Sequence, residues 1–301
     1  VSPEISRCLK ATQFLLVDAP PAHEDCRQFV SIANMFRKAG LTTPRVIEAD
    51  YEQGFMLLQD FGDALYLPAL ESGQDVEALY GAAMDSLIAL QANGECSELP
   101  PYDRALLHRE LSLFDDWFCH EFLGLSLDPQ ERELLERTWA FLEDAALSQP
   151  QVAVHRDYHS RNLMIRDESP ALAPGVIDFQ DAVVGANTYD LVSLLRDCYI
   201  VWPPERVNAW ALEFRNKAVA KGLLEKGDSV DEAAFLRDFD LMGLQRHIKV
   251  IGIFCRLYLR DGKQRYMADI PLVIDYVVTV AAKHPEMNEF LQWLQSKILP
   301  L

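Results

Sequence analysis

The sequence predicts an α+β chain of two lobes: a small α/β N-terminal lobe over residues 1–62 and a larger, mainly helical C-terminal lobe over 63–301. Three observations predict it. Short apolar runs punctuated by proline and glycine dominate up to Phe61. From Ala64 onward the apolar residues recur three and four apart, the period of a helix with one buried face. Within that helical region, 152–154, 163–165 and 175–177 are short apolar runs flanked by polar residues, as strands of a small sheet would be.

Taken in order, Phe14 to Asp18 reads as a buried strand stopped by Pro20-Pro21, and His23 to Ala39 as a helix ending at Gly40. Val46–Ala49 and Phe55–Leu58 flank Tyr51-Glu52-Gln53-Gly54, the pattern of a hairpin. Gln59 to Asp63 is the connector between lobes. Helical patterns follow near 75–92, 103–122, 129–147, 187–198, 204–220, 231–260, 269–283 and 285–297. A cleft between two such lobes is the natural place for a ligand.

Composition narrows the function classes. Half of the 301 residues are hydrophobic and a quarter are charged, an ordinary soluble globular balance. No run approaches ~18 consecutive apolar residues, which argues against a simple membrane span, and no basic-then-apolar leader argues for secretion. The six cysteines are scattered without CxxC spacing, so free thiols in a cytoplasmic setting are expected. A formal charge of −18 opposes nucleic acid and anionic lipid as partners. Small molecules are the expected partners, and nothing indicates an obligate protein partner.

The chemistry concentrates in His155-Arg156-Asp157 with Asn162, followed by Ile177-Asp178-Phe179. A strand, a loop carrying Asp157 and Asn162, and a returning strand carrying Asp178 bring three oxygen-bearing side chains together. Hard oxygen ligands suit Mg²⁺, which keeps waters and binds through one or two carboxylates plus substrate phosphates. Asn162 and Asp178 are then the candidate metal ligands, with Asp157 left to orient or deprotonate an acceptor hydroxyl. Phosphoryl transfer needs these parts, because its catalysis is mostly positioning and charge neutralisation. His155 is expected to brace the loop. Asp190 has two readings, a helix-start carboxylate or an anchor for the catalytic loop. Asp181 likewise is a substrate contact or a solvated turn residue, and His159 and Arg161 join it as candidate substrate contacts.

His155 to Asn162, with Ile177 to Asp181 and Tyr189-Asp190-Leu191, resembles the aminoglycoside phosphotransferase superfamily, the small-molecule branch of the protein-kinase-like fold. Val17 to Pro21, Glu24 to Arg27, Leu191 to Asp197, Gln245-Arg246-His247 and Arg260 to Lys263 extend the likeness to its bacterial anomeric kinases of cell-wall amino sugars. The resemblance implies ATP-dependent phosphorylation of the C1 hydroxyl of N-acetylmuramate and N-acetylglucosamine, in peptidoglycan recycling. It implies Asp157 as base, Mg²⁺ on Asn162 and Asp178, and adenine against Leu57, Leu58, Gln59, Asp60 and Phe61. Two departures stand out. No GxGxxG precedes Phe14, and Phe14 to Val17 lacks the lysine that kinases pair with phosphate; Lys10 lies too early by register to match it, and Arg7 or Lys10 is the alternative cation. Val1 in place of Met fits a small lobe that starts upstream.

Arg246, Lys249, Arg256 and Arg260 fall on one side of the predicted helix 231–260. They read as a salt-bridged face, or as a cationic wall accepting an anionic group, with Arg246 and Arg256 as substrate contacts. The alternative substrate class is a cation, an aminoglycoside or choline, which wants acids or an aromatic cage.

Overall fold

In the computed structural model, which describes residues 14–21, 26–166, 173–224 and 231–299, the early apolar runs become an antiparallel sheet of three strands. Its order is β1 (Phe14–Asp18), β3 (Phe55–Gln59), β2 (Val46–Asp50), with Phe14 opposite Gln59 and Asp18 opposite Phe55. The β2–β3 hairpin forms as expected. Gly54 makes the turn possible: its φ is +79°, and a Cβ there would collide with the Ala19 carbonyl. β1 is a strand but not a buried one, a correction to the sequence reading. Among the described residues it pairs only with β3, at the edge of the sheet, and Leu15 and Leu16 are 53% and 67% exposed.

Contacts group the chain into two compact units, Val1–Pro100 with Val152–Val184, and Pro101–Gln151 with Gly185–Leu301. The connector at 59–63 therefore lies inside the first unit. That unit holds the sheet and helix α1 (Cys26–Ala39), whose amphipathic face buries Ile32, Ala33, Met35 and Phe36. The predicted start of this helix at His23 to Asp25 lies outside the described residues, as do Arg7 and Lys10. Short helix α2 (Tyr66–Glu71) and helix α3 (Val76–Asn93) follow. Asp75 caps α3 by accepting from Ala78 N. α2 escaped the periodicity reading because it is six residues long and carries Pro68.

The second unit is helical: α4 (Arg104–Leu113), a π-helical continuation over Phe114–Phe122, α5 (Pro129–Ser148), α6 (Tyr189–Leu195), α7 (Pro204–Ala220), α8 (Glu232–Leu259), α9 (Ile270–Ala281) and α10 (Asn288–Trp293). An Asp128–Glu131 capping box and Pro129 at the first turn start α5. α8 is the axis of the unit and buries most of its middle. Its Gly252 lies on the Leu113 and Phe114 backbone, where any Cβ would clash, at the point where α4 widens into the π-helical turn. Phe114, Trp139, Phe290 and Trp293 form an aromatic core beside it, with ring centroids about 6 Å apart.

Four further strands bear on the site: β4 (Gln151–Val154), β5 (Leu163–Met164), β6 (Gly175–Val176) and β7 (Val183–Ala186). β5 and β6 pair antiparallel, Leu163 with Val176 and Met164 with Gly175, and β7 pairs with β4. β7 was not expected from sequence. Its Val-Val-Gly-Ala run is too short and too weakly apolar to stand out. Among the described residues no helix is long and apolar enough to cross a membrane.

Candidate active site

Val152, Ala153 and Val154 end β4, and the chain turns sharply at Arg156, where φ is +77°. Asp178, two residues past the returning β6 strand, has φ +63°. These are the only non-glycine residues of positive φ among those described. Each such conformation costs on the order of 1–3 kcal/mol, and it persists where surrounding contacts enforce it. His155 is one enforcer. Its ring is fully buried, its Nδ1 accepts the Asp157 backbone N–H at 3.2 Å, and its Nε2 donates to Ile177 O at 3.0 Å. A backbone N–H can only donate and a carbonyl only accept, so both bonds together fix one neutral tautomer. Burial pushes the His155 pKa down to about 4, against the smaller opposing pull of Asp157 and Asp178. The expected brace is thus a neutral pin between the two loops.

The rest of the loop is held from beneath. Tyr158, buried, donates its hydroxyl to Ala83 O of α3 at 3.0 Å. Ser160 O accepts from Leu67 N of α2 at 3.0 Å. Asp157 O accepts from His159 N, and Asn162 N donates to His159 O. Arg161 N donates to His159 Nδ1 at 3.3 Å. Both His159 and Arg161 are half-buried on this loop.

Asn162 joins the two halves. Its Nδ2 donates to Asp157 O at 3.0 Å and to Asp178 Oδ2 at 3.1 Å, while Asn162 O accepts from Ile177 N at 3.1 Å. With both amide protons used, Asn162 Oδ1 is left as an acceptor beside the exposed Asp178 carboxylate. No group of three His, Cys, Asp or Glu able to hold a metal exists among the described residues. One carboxylate and one amide oxygen are nevertheless a donor set that fits Mg²⁺, an ion that takes hard oxygens and keeps several waters.

Gln180 and Gln28 are polar participants that sequence reasoning missed. Gln180 Nε2 donates to Asp178 Oδ1 at 2.9 Å, and Gln28 Nε2, from α1, donates to Gln180 O at 3.0 Å. Phe179 is fully buried, its ring 4.8 Å from Phe29 and 5.8 Å from Phe36 of α1. Asp181 is exposed, and its carbonyl accepts from Arg156 Nη1 at 3.4 Å. Two residues from Asp178, Gln180 had only its position to announce it.

The expected nucleotide residues lie at the end of β3 and just after it. Leu58 is buried, and Asp60 Oδ1 accepts from Gly62 N at 2.8 Å. The Phe61 ring packs on Gly175, where a Cβ would come within 2.7 Å of it, and the Arg166 guanidinium lies 5.6 Å from its centroid. Ile165 N donates to Ala64 O at 2.7 Å, so the connector runs beside β5. A 370 Å³ pocket opens between the sheet and α1, lined by Val17, Asp18, Met56, Leu58, Gln180 and Asp181 among others. Gln59, Asp60 and Phe61 do not line it.

Asp190 belongs to the second unit, in the first turn of α6, and is buried. The basic stripe of α8 is largely internal. Lys249 Nζ lies 2.9 Å from Glu110 Oε2 and 2.8 Å from Tyr189 OH, all buried. Arg246 is buried and donates to Cys198 Sγ at 3.6 Å, while exposed Arg260 pairs with Asp261 at 2.7 Å. Arg256 is half-buried, its Nε without a partner among the described residues.

Comparisons with known proteins bear on the family and the fold. Residues 7–223 match the phosphotransferase enzyme family, APH. Over 282 residues the chain is 43% identical to an N-acetylmuramate/N-acetylglucosamine kinase of Pseudomonas aeruginosa, covering 94% of this chain and 81% of that protein. A protein of the same description from Neisseria meningitidis serogroup B is 40% identical over 274 residues, covering 90% and 79%. A solved Plasmodium vivax ethanolamine kinase superposes with a TM-score of 0.62 at 11% identity, over 93% of this chain and 78% of that one. The GDP complex of aminoglycoside 2'-phosphotransferase-IIIa superposes with a TM-score of 0.55 at 16% identity, over 85% and 82%. These structural likenesses establish the protein-kinase-like fold expected from the sequence. By matched length and by identity, the chain belongs to the APH phosphotransferase family.

Proposed function

We propose that the protein is an amino-sugar kinase that transfers the γ-phosphoryl group of ATP to the anomeric C1 hydroxyl of N-acetylmuramate or N-acetylglucosamine. The observation that carries the chemistry is the Asn162 amide, which draws the Asp157 backbone and the Asp178 carboxylate to one point. The kinase descriptions of relatives at 40–43% identity support the sugar. In this reading Asp157 accepts the proton of the sugar hydroxyl as its oxygen bonds to phosphorus and ADP leaves. Asn162 and Asp178 would hold Mg²⁺, which would supply charge neutralisation on the phosphates. Leu58, Gln59, Asp60 and Phe61 receive the adenine edge, and the small lobe up to residue 62 serves the nucleotide. His159, Arg161, Asp181, Arg246 and Arg256 serve the sugar, His155 pins the loop, and Asp190 supports it. A cytoplasmic place in peptidoglycan recycling follows from the substrate.

The cationic alternative has no observation in its favour, since the likeness to aminoglycoside and ethanolamine kinases stands at 11–16% identity and speaks for the fold. The test is ADP release on a panel of N-acetylmuramate, N-acetylglucosamine, kanamycin and choline, with and without Mg²⁺. Turnover on the two sugars is expected, and turnover on kanamycin or choline alone would replace the substrate.

A further inference from the structure

Asp178 sits on strained backbone at the surface, where a carboxylate has rotational freedom, yet both its oxygens are occupied. Oδ2 accepts from Asn162 and Oδ1 from Gln180. Gln180 is itself tied at its carbonyl by Gln28, near the start of α1, and the neighbouring Phe29 of the same helix packs on Phe179. Two successive residues of α1 thus hold two successive residues after Asp178. We infer that Gln180 is a positioning residue for Asp178, and that Gln28 sets Gln180, so that the first turn of α1 presets the orientation of the proposed metal ligand.

The physical basis is the fork of two amide donors. One donor on each oxygen restricts carboxylate rotation and leaves each oxygen a further lone pair to accept a ligand. A ligand already oriented binds its ion without the entropic cost of being ordered. The inference rests on the assignment of Asp178 as a metal ligand, so the experiment separates the two.

The probe is Mn²⁺ in the presence of ADP, with free Mn²⁺ read by electron paramagnetic resonance on the full chain without turnover. Gln180→Met keeps length and removes the donor, and it is expected to weaken Mn²⁺ binding about fivefold. Gln28→Ala is expected to weaken it about twofold alone and not at all in the Gln180→Met background, because nothing remains for it to orient. The same variants should raise the KM for Mg²⁺ more than they lower kcat, with an unchanged melting midpoint. Gln180→Ala repeats the measurement should the methionine variant shift the midpoint. Unchanged Mn²⁺ affinity in the Gln180 variants beside a large loss in Asp178→Asn would overturn the inference alone. Additive effects of the Gln28 and Gln180 substitutions would overturn the relay. Unchanged affinity in Asp178→Asn would overturn the ligand assignment beneath it.

Discussion

Asn162 Nδ2 stands 3.1 Å from Asp178 Oδ2 and 3.0 Å from Asp157 O, so one side chain fixes both the loop of the proposed base and the proposed metal ligand. The two aspartates should therefore differ in kind when altered. Asp157→Asn is expected to lower turnover by about 10²–10⁴-fold and leave nucleotide binding within a few-fold, since the base acts on the acceptor. Asp178→Asn should weaken Mg²⁺-dependent nucleotide binding as well as rate. Titration calorimetry with ADP and Mg²⁺, beside steady-state kinetics, separates them. Identical behaviour of both variants would refute the division of roles.

Lys249 and Glu110 predict a structural effect, in line with the salt-bridged reading of the α8 stripe. Lys249→Met removes the buried ion pair with Glu110, and unfolding in urea should show a loss of about 3–5 kcal/mol. Arg246→Ala and Arg256→Ala test the remaining stripe. If these two residues serve the sugar, each raises the KM for N-acetylmuramate about tenfold more than for N-acetylglucosamine, because only the former carries a carboxylate. Equal effects on both sugars assign the stripe to packing.

Asp115 predicts a stability change that grows with pH. It lies in the π-helical turn, and burial, then Asp116, pushes its pKa up to about 7. Its Oδ1 has no hydrogen-bond partner among the described residues, and the neighbouring Trp139 Nε1 falls short of hydrogen-bond geometry, so the downward pull of that indole is weak. A carboxyl raised in the folded state has its stabilising effect below its unfolded pKa, near 4, and loses it as pH rises through about 7. Asp115→Asn should therefore gain melting temperature over the parent progressively between pH 5 and 8. A difference independent of pH would contradict the assignment.

His155 predicts the opposite slope. A histidine held near 4 in the folded state contributes stability that is complete above its unfolded pKa, about 6.5, and is lost as pH falls through about 4. Activity and compactness should fall together over that window. His155→Gln, whose amide can neither charge nor reproduce both ring bonds, should flatten the pH dependence while lowering overall stability. Retention of the parent's acid transition in that variant would place the transition elsewhere.

Much of the fold and site was legible because the signals were local. Periodicity marked the long helices, and the spacing of Asp157, Asn162 and Asp178 marked the loop pair that the Asn162 amide joins. What escaped was set by tertiary placement. β1 has the composition of a core strand, yet among the described residues it lies at a sheet edge and Leu15 and Leu16 are exposed. The charges of α8 share a helical side, which left a salt-bridged face and a cationic wall both open; that Glu110 and Tyr189 on other helices meet Lys249, periodicity within α8 could not show. Gln28 and Gln180 are 152 residues apart in sequence, and neutral amides carry no pattern that would join them.

The central claim is an anomeric amino-sugar kinase, and the position of the phosphate on its product tests it most directly. Phosphorus NMR of the product from ATP, Mg²⁺ and N-acetylglucosamine should show an acid-labile sugar 1-phosphate. The 1-O-methyl sugar, which has no C1 hydroxyl to deprotonate, should remain unphosphorylated. A 6-phosphate, or turnover of the 1-O-methyl sugar, would contradict the account.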